Sequence, residues 1–361
     1  MTELLRELRE IIAQEGPISL ERYMSLALSH PRYGYYMSQE PFGAAGDFVT
    51  APEISQMFGE LIGLWAAEVW RLSGLPTPLR LVELGPGRGT LMADALRAIR
   101  RVPTFWDAIT VHLVETSPRL IDIQRTALGE FEVPIHWPRA ADYIQSGPAI
   151  FIANEFFDAL PVQHFVRGEN GWHERLVGVD ADGTLTFGFN PTPADDIGVT
   201  ASEGAIVEIN PGAREIVHSL ATRIRENGSA LLMIDYGHTK TQTGETLQAV
   251  RNHRFVDPLE APGECDVTAH VDFAALAREA EAAGARVHGP VTQAEFLLAL
   301  GIAERAQILK RKANPAQAEA LDVALSRLTN RSTPTSMGEL FKAMAITPQD
   351  LHAVPGFASR A

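Results

Sequence analysis

The chain has 361 residues, 45% hydrophobic and 21% charged, with 31 Lys and Arg against 45 Asp and Glu and a formal net charge of −14. That length and composition suit one large domain with insertions or two domains sharing an interface, and they exclude low-complexity disorder. The acidic balance repels polyphosphate, so no nucleic-acid partner is expected, and a cationic partner such as an Arg-bearing peptide suits it better. The single Cys265 excludes an intramolecular disulfide, and no stretch reaches the apolar length needed for membrane insertion. The N-terminus mixes Glu3, Arg6, Glu7, Arg9 and Glu10 with Leu and Ile, unlike a cleavable signal or a transit peptide; a cytoplasmic protein is expected, with a mature organellar form as the alternative.

In chain order, Leu4, Leu5, Leu8, Ile11 and Ile12 give the one-face spacing of a helix over residues 3–14, stopped by Gly16-Pro17. Ser19 caps a second helix. Residues 30–53 form a long Gly-, Pro- and Tyr-rich connection, and helical spacing returns from Ile54 to Arg71. After Pro76 and Pro78, strands and helices alternate: strand Leu79–Leu84, helix Thr90–Arg101, strand Thr110–Val114, helix Pro118–Leu128, then apolar runs at Val133–Trp137 and Ala149–Ala153. This order predicts a parallel sheet with helices on both faces. Residues 162–209 predict an antiparallel insertion, with strands at Gln163–Arg167, His173–Val179 and Leu185–Phe189 and an Asp182-Gly183 hairpin turn. Helix Ala213–Arg225 and strand Ala230–Ile234 restore the α/β rhythm, followed by helix Phe273–Ala283 and a late strand from Arg286. Residues 293–330 are helical apart from an Asn314-Pro315 break, and a polar link then leads to a short tail.

The chemistry starts at Val82–Thr90 (VELGPGRGT), where Gly85, Gly87 and Gly89 lie between a strand and a helix, the ligand edge of an open α/β sheet. A P-loop needs Lys and Ser/Thr after its last glycine, and a dinucleotide loop needs a glycine where Thr90 stands. Glu83 discriminates further. A carboxylate at that strand end gains nothing from a pyrophosphate, but it favours the ammonium and sulfonium of S-adenosylmethionine. Glu115 ends the next strand, where an acid accepts from ribose hydroxyls in such folds. The competing reading of both acids is that they are solvated strand ends.

These residues resemble motif I and the following acidic position of class I methyltransferases. Tyr33-Gly34-Tyr35-Tyr36, Gly46-Asp47-Phe48 with Thr50–Ser55, Asn154–Pro161 (NEFFDALP), Asp235-Tyr236-Gly237 and Gly263–Phe273 are similar to the MidA-type family, which includes the mitochondrial arginine methyltransferase of respiratory complex I assembly. The resemblance covers nearly the whole chain. It implies a Rossmann-like, mostly parallel seven-stranded sheet with an antiparallel last strand, an N-terminal helical extension, an antiparallel β insertion and a helical C-terminal region. The expected division is 1–75 as N-terminal helical and lid region, 76–161 and 210–292 as the cofactor-binding core, 162–209 as insertion, and 293–361 as substrate-side region. The resemblance also implies S-adenosyl-L-methionine as cofactor, a respiratory complex I subunit as protein partner and symmetric arginine dimethylation; the competing readings are a methyltransferase with another acceptor and an S-adenosylmethionine-binding assembly factor without essential catalysis. For an organellar form it implies the mitochondrial matrix.

Methyl transfer from a sulfonium needs positioning and desolvation rather than a metal. An arginine acceptor is a planar, protonated fork, so carboxylates should clamp it and one must take a proton. Glu155 is the expected clamp, with Asp158 or Asp235 as second carboxylate and candidate proton acceptor and Asn154 beside them. Asp158 as a helix cap and Asn154 as a loop-backbone partner are the competing roles. Asp47 and Glu53 are expected to reach the cofactor's methionine end or the substrate from a lid; the alternatives are a turn cap and a first-turn helix acid. Tyr33, Tyr35 and Tyr36 line a substrate groove or pack the N-terminal helices. His270-Val271-Asp272 lacks the second cluster that a metal site requires, and no G-x-S-x-G marks a serine hydrolase.

Overall fold

The computed structural model describes residues 2–38, 50–194 and 197–358. Two compact units interleave along the chain: one comprises residues 1–48, 158–215 and 240–270, the other 49–157, 216–239 and 271–361.

The second unit is built on seven principal strands: β1 (Leu79–Leu84), β2 (Ile109–Val114), β3 (Ile135–His136), β4 (Ala149–Asn154), β5 (Ala230–His238), β6 (Arg286–Thr292) and β7 (Phe341–Thr347). Their spatial order is β6-β7-β5-β4-β1-β2-β3, and a two-residue strand, Val271–Asp272, pairs with β5. Strands β1 to β5 are mutually parallel, while β7 runs antiparallel to both β5 and β6. Register aligns Leu84 with Val114 and with Ala153, and Asn154 with Ile234, so the carboxyl ends of β1, β2, β4 and β5 form one edge. The glycine loop and the NEFF turn thus lie side by side on the carboxyl edge of an open α/β sheet, where such sheets bind ligands.

One face of this sheet, through Leu81, Val111, Leu113, Ile150, Ile152 and Leu232, shares a core with the helices Gln56–Leu72 and Thr90–Ile99. The first of these helices presents Met57, Phe58, Leu61, Ile62, Trp65, Val69 and Trp70 as a buried stripe at three- and four-residue spacing. It starts later than its periodicity predicts. Ser55 is extended (φ −163°) and its hydroxyl accepts from Met57 N, which separates a short helix, Ala51–Ile54, from the long one. The helices at 293–330 pack here too: the Arg305 guanidinium grips both oxygens of buried Glu60 at 2.7 and 2.8 Å.

Strand β7 departs from the short tail read in the sequence. Every residue of Phe341–Thr347 except Lys342 is buried. The segment FKAMAIT is rich in Ala and Met and poor in β-branched residues, so its local preference for a strand is weak. Backbone pairing on both sides, with β5 and β6, decides its conformation.

In the first unit, helices Glu3–Glu15 and Leu20–Ser29 carry side-chain caps from Thr2 and Ser19. The expected antiparallel sheet is present, with Gly171–Val179 pairing Gln163–Gly168, Leu185–Phe189 and Ile18–Ser19. Residues 240–270 join this unit through a small sheet of Gln248–Arg251, Arg254–Val256 and Asp266–Thr268. Long-range hydrogen bonds hold them there: Tyr23 Oη donates to Pro258 O, and Tyr36 Oη to Asp266 Oδ1 at 2.9 Å.

Candidate active site

The loop after β1 uses its glycines for their backbone freedom. Gly85, Gly87 and Gly89 have φ of +62°, +52° and +80°, a region that side-chain-bearing residues enter at a cost of about 1–2 kcal/mol. Gly85 is restricted a second time, because a Cβ there would lie 2.9 Å from Phe156 Cδ2. Gly89, left-handed, starts the helix Thr90–Ile99.

Beneath the loop, Glu83 is only 3% exposed. Its Oε2 is buried and accepts no hydrogen bond among the described residues. Burial pushes this carboxyl up to about 8. Glu115 is differently placed. Its Oε1 accepts from Thr116 N and Ser117 N, both at 2.8 Å, and its Oε2 accepts from Gln124 Nε2 at 3.2 Å. Burial raises its pKa, while these hydrogen bonds oppose the rise. Gln124 was not legible as a site residue. It is fully buried on the helix Pro118–Leu128, its Nε2 also donates to Gly87 O at 2.8 Å, and its Oε1 accepts from Trp137 Nε1 at 3.0 Å. One amide therefore ties the glycine loop to the second acid. The only sequence signal for it is a polar residue on the buried stripe of an amphipathic helix.

At the end of β4, Asn154 and Glu155 begin a tight turn. Glu155 has φ +49°, an unusual conformation for a residue with a side chain and one that tends to occur at functional sites. Its Oε1 accepts from Asn154 Nδ2 and from Ala51 N, each at 3.1 Å. Asn154 Oδ1 is buried without a hydrogen-bond partner among the described residues. Asp235, at 1% exposure, accepts from Phe156 N (3.2 Å) and Phe157 N (3.0 Å) through Oδ2 and from Tyr236 N (2.9 Å) through Oδ1. It thus anchors the turn that presents Glu155. Phe156, also unforeseen, packs its ring over Gly85.

The helix Ala51–Ile54 touches both halves of this edge: Ala51 N reaches Glu155, and Glu53 Oε1 accepts from Thr90 Oγ1 at 2.5 Å. Asp47 lies outside the described residues. Asp158 belongs to the other unit, where it is buried and its carbonyl accepts from Ala269 N. No helix follows it. There, burial and then the charges of Asp266 and Asp158 hold the Tyr36 hydroxyl well above its usual pKa. Asp272 caps the helix Phe273–Ala282 through Ala275 N at 2.9 Å.

The residues at the loop fit a sulfonium nucleoside. A buried carboxylate oxygen with an unused acceptor site asks for a cationic donor, and Glu83 presents one directly below glycines that let a ligand approach the backbone. Ser117 Oγ, buried and without a hydrogen-bond partner among the described residues, and the Glu115–Gln124 pair offer further polar groups at the end of β2.

Sheet order, the antiparallel β7 and the E-x-G-x-G-x-G loop define a class I S-adenosylmethionine-dependent methyltransferase. Residues 61–291 match the sequence profile of an S-adenosyl-L-methionine-dependent methyltransferase family, and the chain belongs to that family. Relatives include the "Protein arginine methyltransferase NDUFAF7, mitochondrial" of Mus musculus, 40% identical over 98% of this chain and 86% of that one. The Homo sapiens protein of the same name is 38% identical over 96% and 84%. Among solved structures, a Burkholderia thailandensis protein bound to S-adenosyl-homocysteine is similar with a TM-score of 0.85 and 29% identity, covering 99% of this chain and 95% of that one. A native crystal structure from the same organism gives 0.83 and 30%, covering 98% and 94%.

Proposed function

We propose that this methyltransferase acts on the guanidinium of an arginine in a protein, and that its target is a subunit of respiratory complex I, as the family resemblance implies. The observation that carries the reading is Glu155, held in a left-handed turn with Asn154 at the carboxyl edge, next to a glycine loop built for the cofactor. The mammalian relatives' names, which include arginine methylation and mitochondria, support it. If the chain is organellar its place of action is the matrix; otherwise it is the bacterial cytoplasm, alongside its target.

When bound, S-adenosylmethionine supplies an electrophilic methyl group on a sulfonium. Glu83, ionised beside the ligand's ammonium, and Glu115, fixed by Gln124, are the groups that would hold and orient it. Glu155 clamps the planar guanidinium through charge-assisted hydrogen bonds and takes the proton released as the nitrogen is alkylated. Asn154 Oδ1 accepts a second guanidinium N–H. Asp235 keeps the turn in place through the three backbone amides it binds.

The test is mass spectrometry of complex I subunits with and without the protein, paired with Glu155→Gln. Dimethylarginine that disappears in the variant, with S-adenosylhomocysteine binding retained, supports the assignment. Methylation of another side chain would replace the acceptor, and an unimpaired rate would remove Glu155 from the site.

A further inference from the structure

We propose that Arg80, His112, His136 and Arg223 form a binding site for a small oxyanion, a phosphate or carboxylate group, on a face of the sheet away from the glycine loop. Strand register puts the first three together, and Arg223 joins them from the helix Pro211–Asn227. Arg80 pairs with Thr110, Val82 with His112 and with Phe151, and His112 with His136. Because side chains alternate along a strand, Arg80, Thr110, His112, His136 and Phe151 share one face. The His112 and His136 rings are 4.9 Å apart, and Arg223 Cζ lies 5.3 Å from the centre of the Phe151 ring.

The β3 end of this face stays open because the chain returns from β3 to β4 through a three-residue 3-10 turn, Ala141–Tyr143, where a covering helix would otherwise sit, while Phe151 is buried beneath Arg223. His136 is consequently exposed, and Arg80, His112 and Arg223 are half-buried. The same return holds the cations. Arg223 donates to the carbonyls of Ala141, Ile144 and Gln145, and a Cβ on Gly147 would stand 2.7 Å from Arg80 Nη1.

These contacts concentrate positive charge in a chain whose formal net charge is −14. The Arg80 guanidinium makes no hydrogen bond or ion pair among the described residues, its backbone N–H donating to Pro148 O, and its charge and that of Arg223 disfavour each other. Burial, then His136, Arg80 and Arg223, push the His112 imidazole down to about 4. Asp142, on the turn, is the acid whose charge favours the Arg223 cation. A guanidinium fork beside two imidazoles matches an oxyanion's acceptor geometry, and a bound anion would reverse the repulsion.

The experiment follows the histidine side chains by NMR at constant ionic strength, replacing chloride with inorganic phosphate in one arm and with succinate in the other. A saturable shift of His112 and His136 is expected, with phosphate alone identifying a phosphate site and succinate alone a carboxylate site. The anion should raise the His112 pKa by about one unit, a tenfold bias toward its cation. Arg80→Met should abolish the response, and exposed His136→Asn should weaken the anion-induced shift of His112 without disturbing the fold. Absence of a saturable shift with either anion, or a wild-type response in a folded Arg80→Met or in His136→Asn, would overturn the proposal.

Discussion

Glu83→Gln should make the cofactor-free protein more stable at alkaline pH while weakening its hold on the cofactor. Glu83 is buried, and its carboxyl is raised from 4.5 to about 8 by desolvation alone. An acid raised in the native state keeps its proton there after the unfolded chain has released it. Native stability therefore falls as pH rises from the unfolded value toward 8, and falls no further above that. At 1.36 kcal/mol per pH unit the loss is about 2 kcal/mol at pH 6 and about 5 kcal/mol at pH 9. Glutamine does not titrate, so the variant's advantage should grow by about 3 kcal/mol over this range, roughly 6 °C in unfolding midpoint at ~2 °C per kcal/mol. Thermal scans of both proteins across pH read the change directly, and any pH-independent effect of the amide cancels. Calorimetry with S-adenosylhomocysteine should show affinity reduced roughly tenfold or more, the value of a charge-assisted hydrogen bond. A stability offset that stays constant between pH 6 and pH 9 would refute the account of Glu83 as a buried acid awaiting a cation.

Gly85→Ala places a methyl group 2.9 Å from Phe156 Cδ2 at a φ of +62°, so it should displace Phe156 and weaken cofactor binding at least tenfold; unchanged calorimetry would separate the loop from the ligand. Gln124→Leu removes the partner of Gly87 O, Glu115 Oε2 and Trp137 Nε1, and should cost about 2–4 kcal/mol in stability as well as cofactor affinity. Chemical denaturation and calorimetry together check it. A variant that binds the cofactor normally would show that Gln124 supports the fold alone.

The amino-acid sequence by itself determined the glycine loop and the edge of the sheet that carries it. Glycines at 85, 87 and 89 follow an apolar strand and are preceded by Glu83, and the alternation of strands and helices fixes the end of the sheet on which they lie. Those signals are local, arising from backbone freedom, hydrophobic period and a charge next to a turn, so they can be read along a single stretch of chain. Tertiary structure alone decided the rest. Asp235 spends its oxygens on three backbone amides, Gln124 bridges a loop and an acid, Phe156 covers Gly85, and FKAMAIT becomes an internal strand. Each of these depends on partners far away in sequence. Asp235 and Glu155 are acids at similar strand ends, and only the donors folded around each tell them apart.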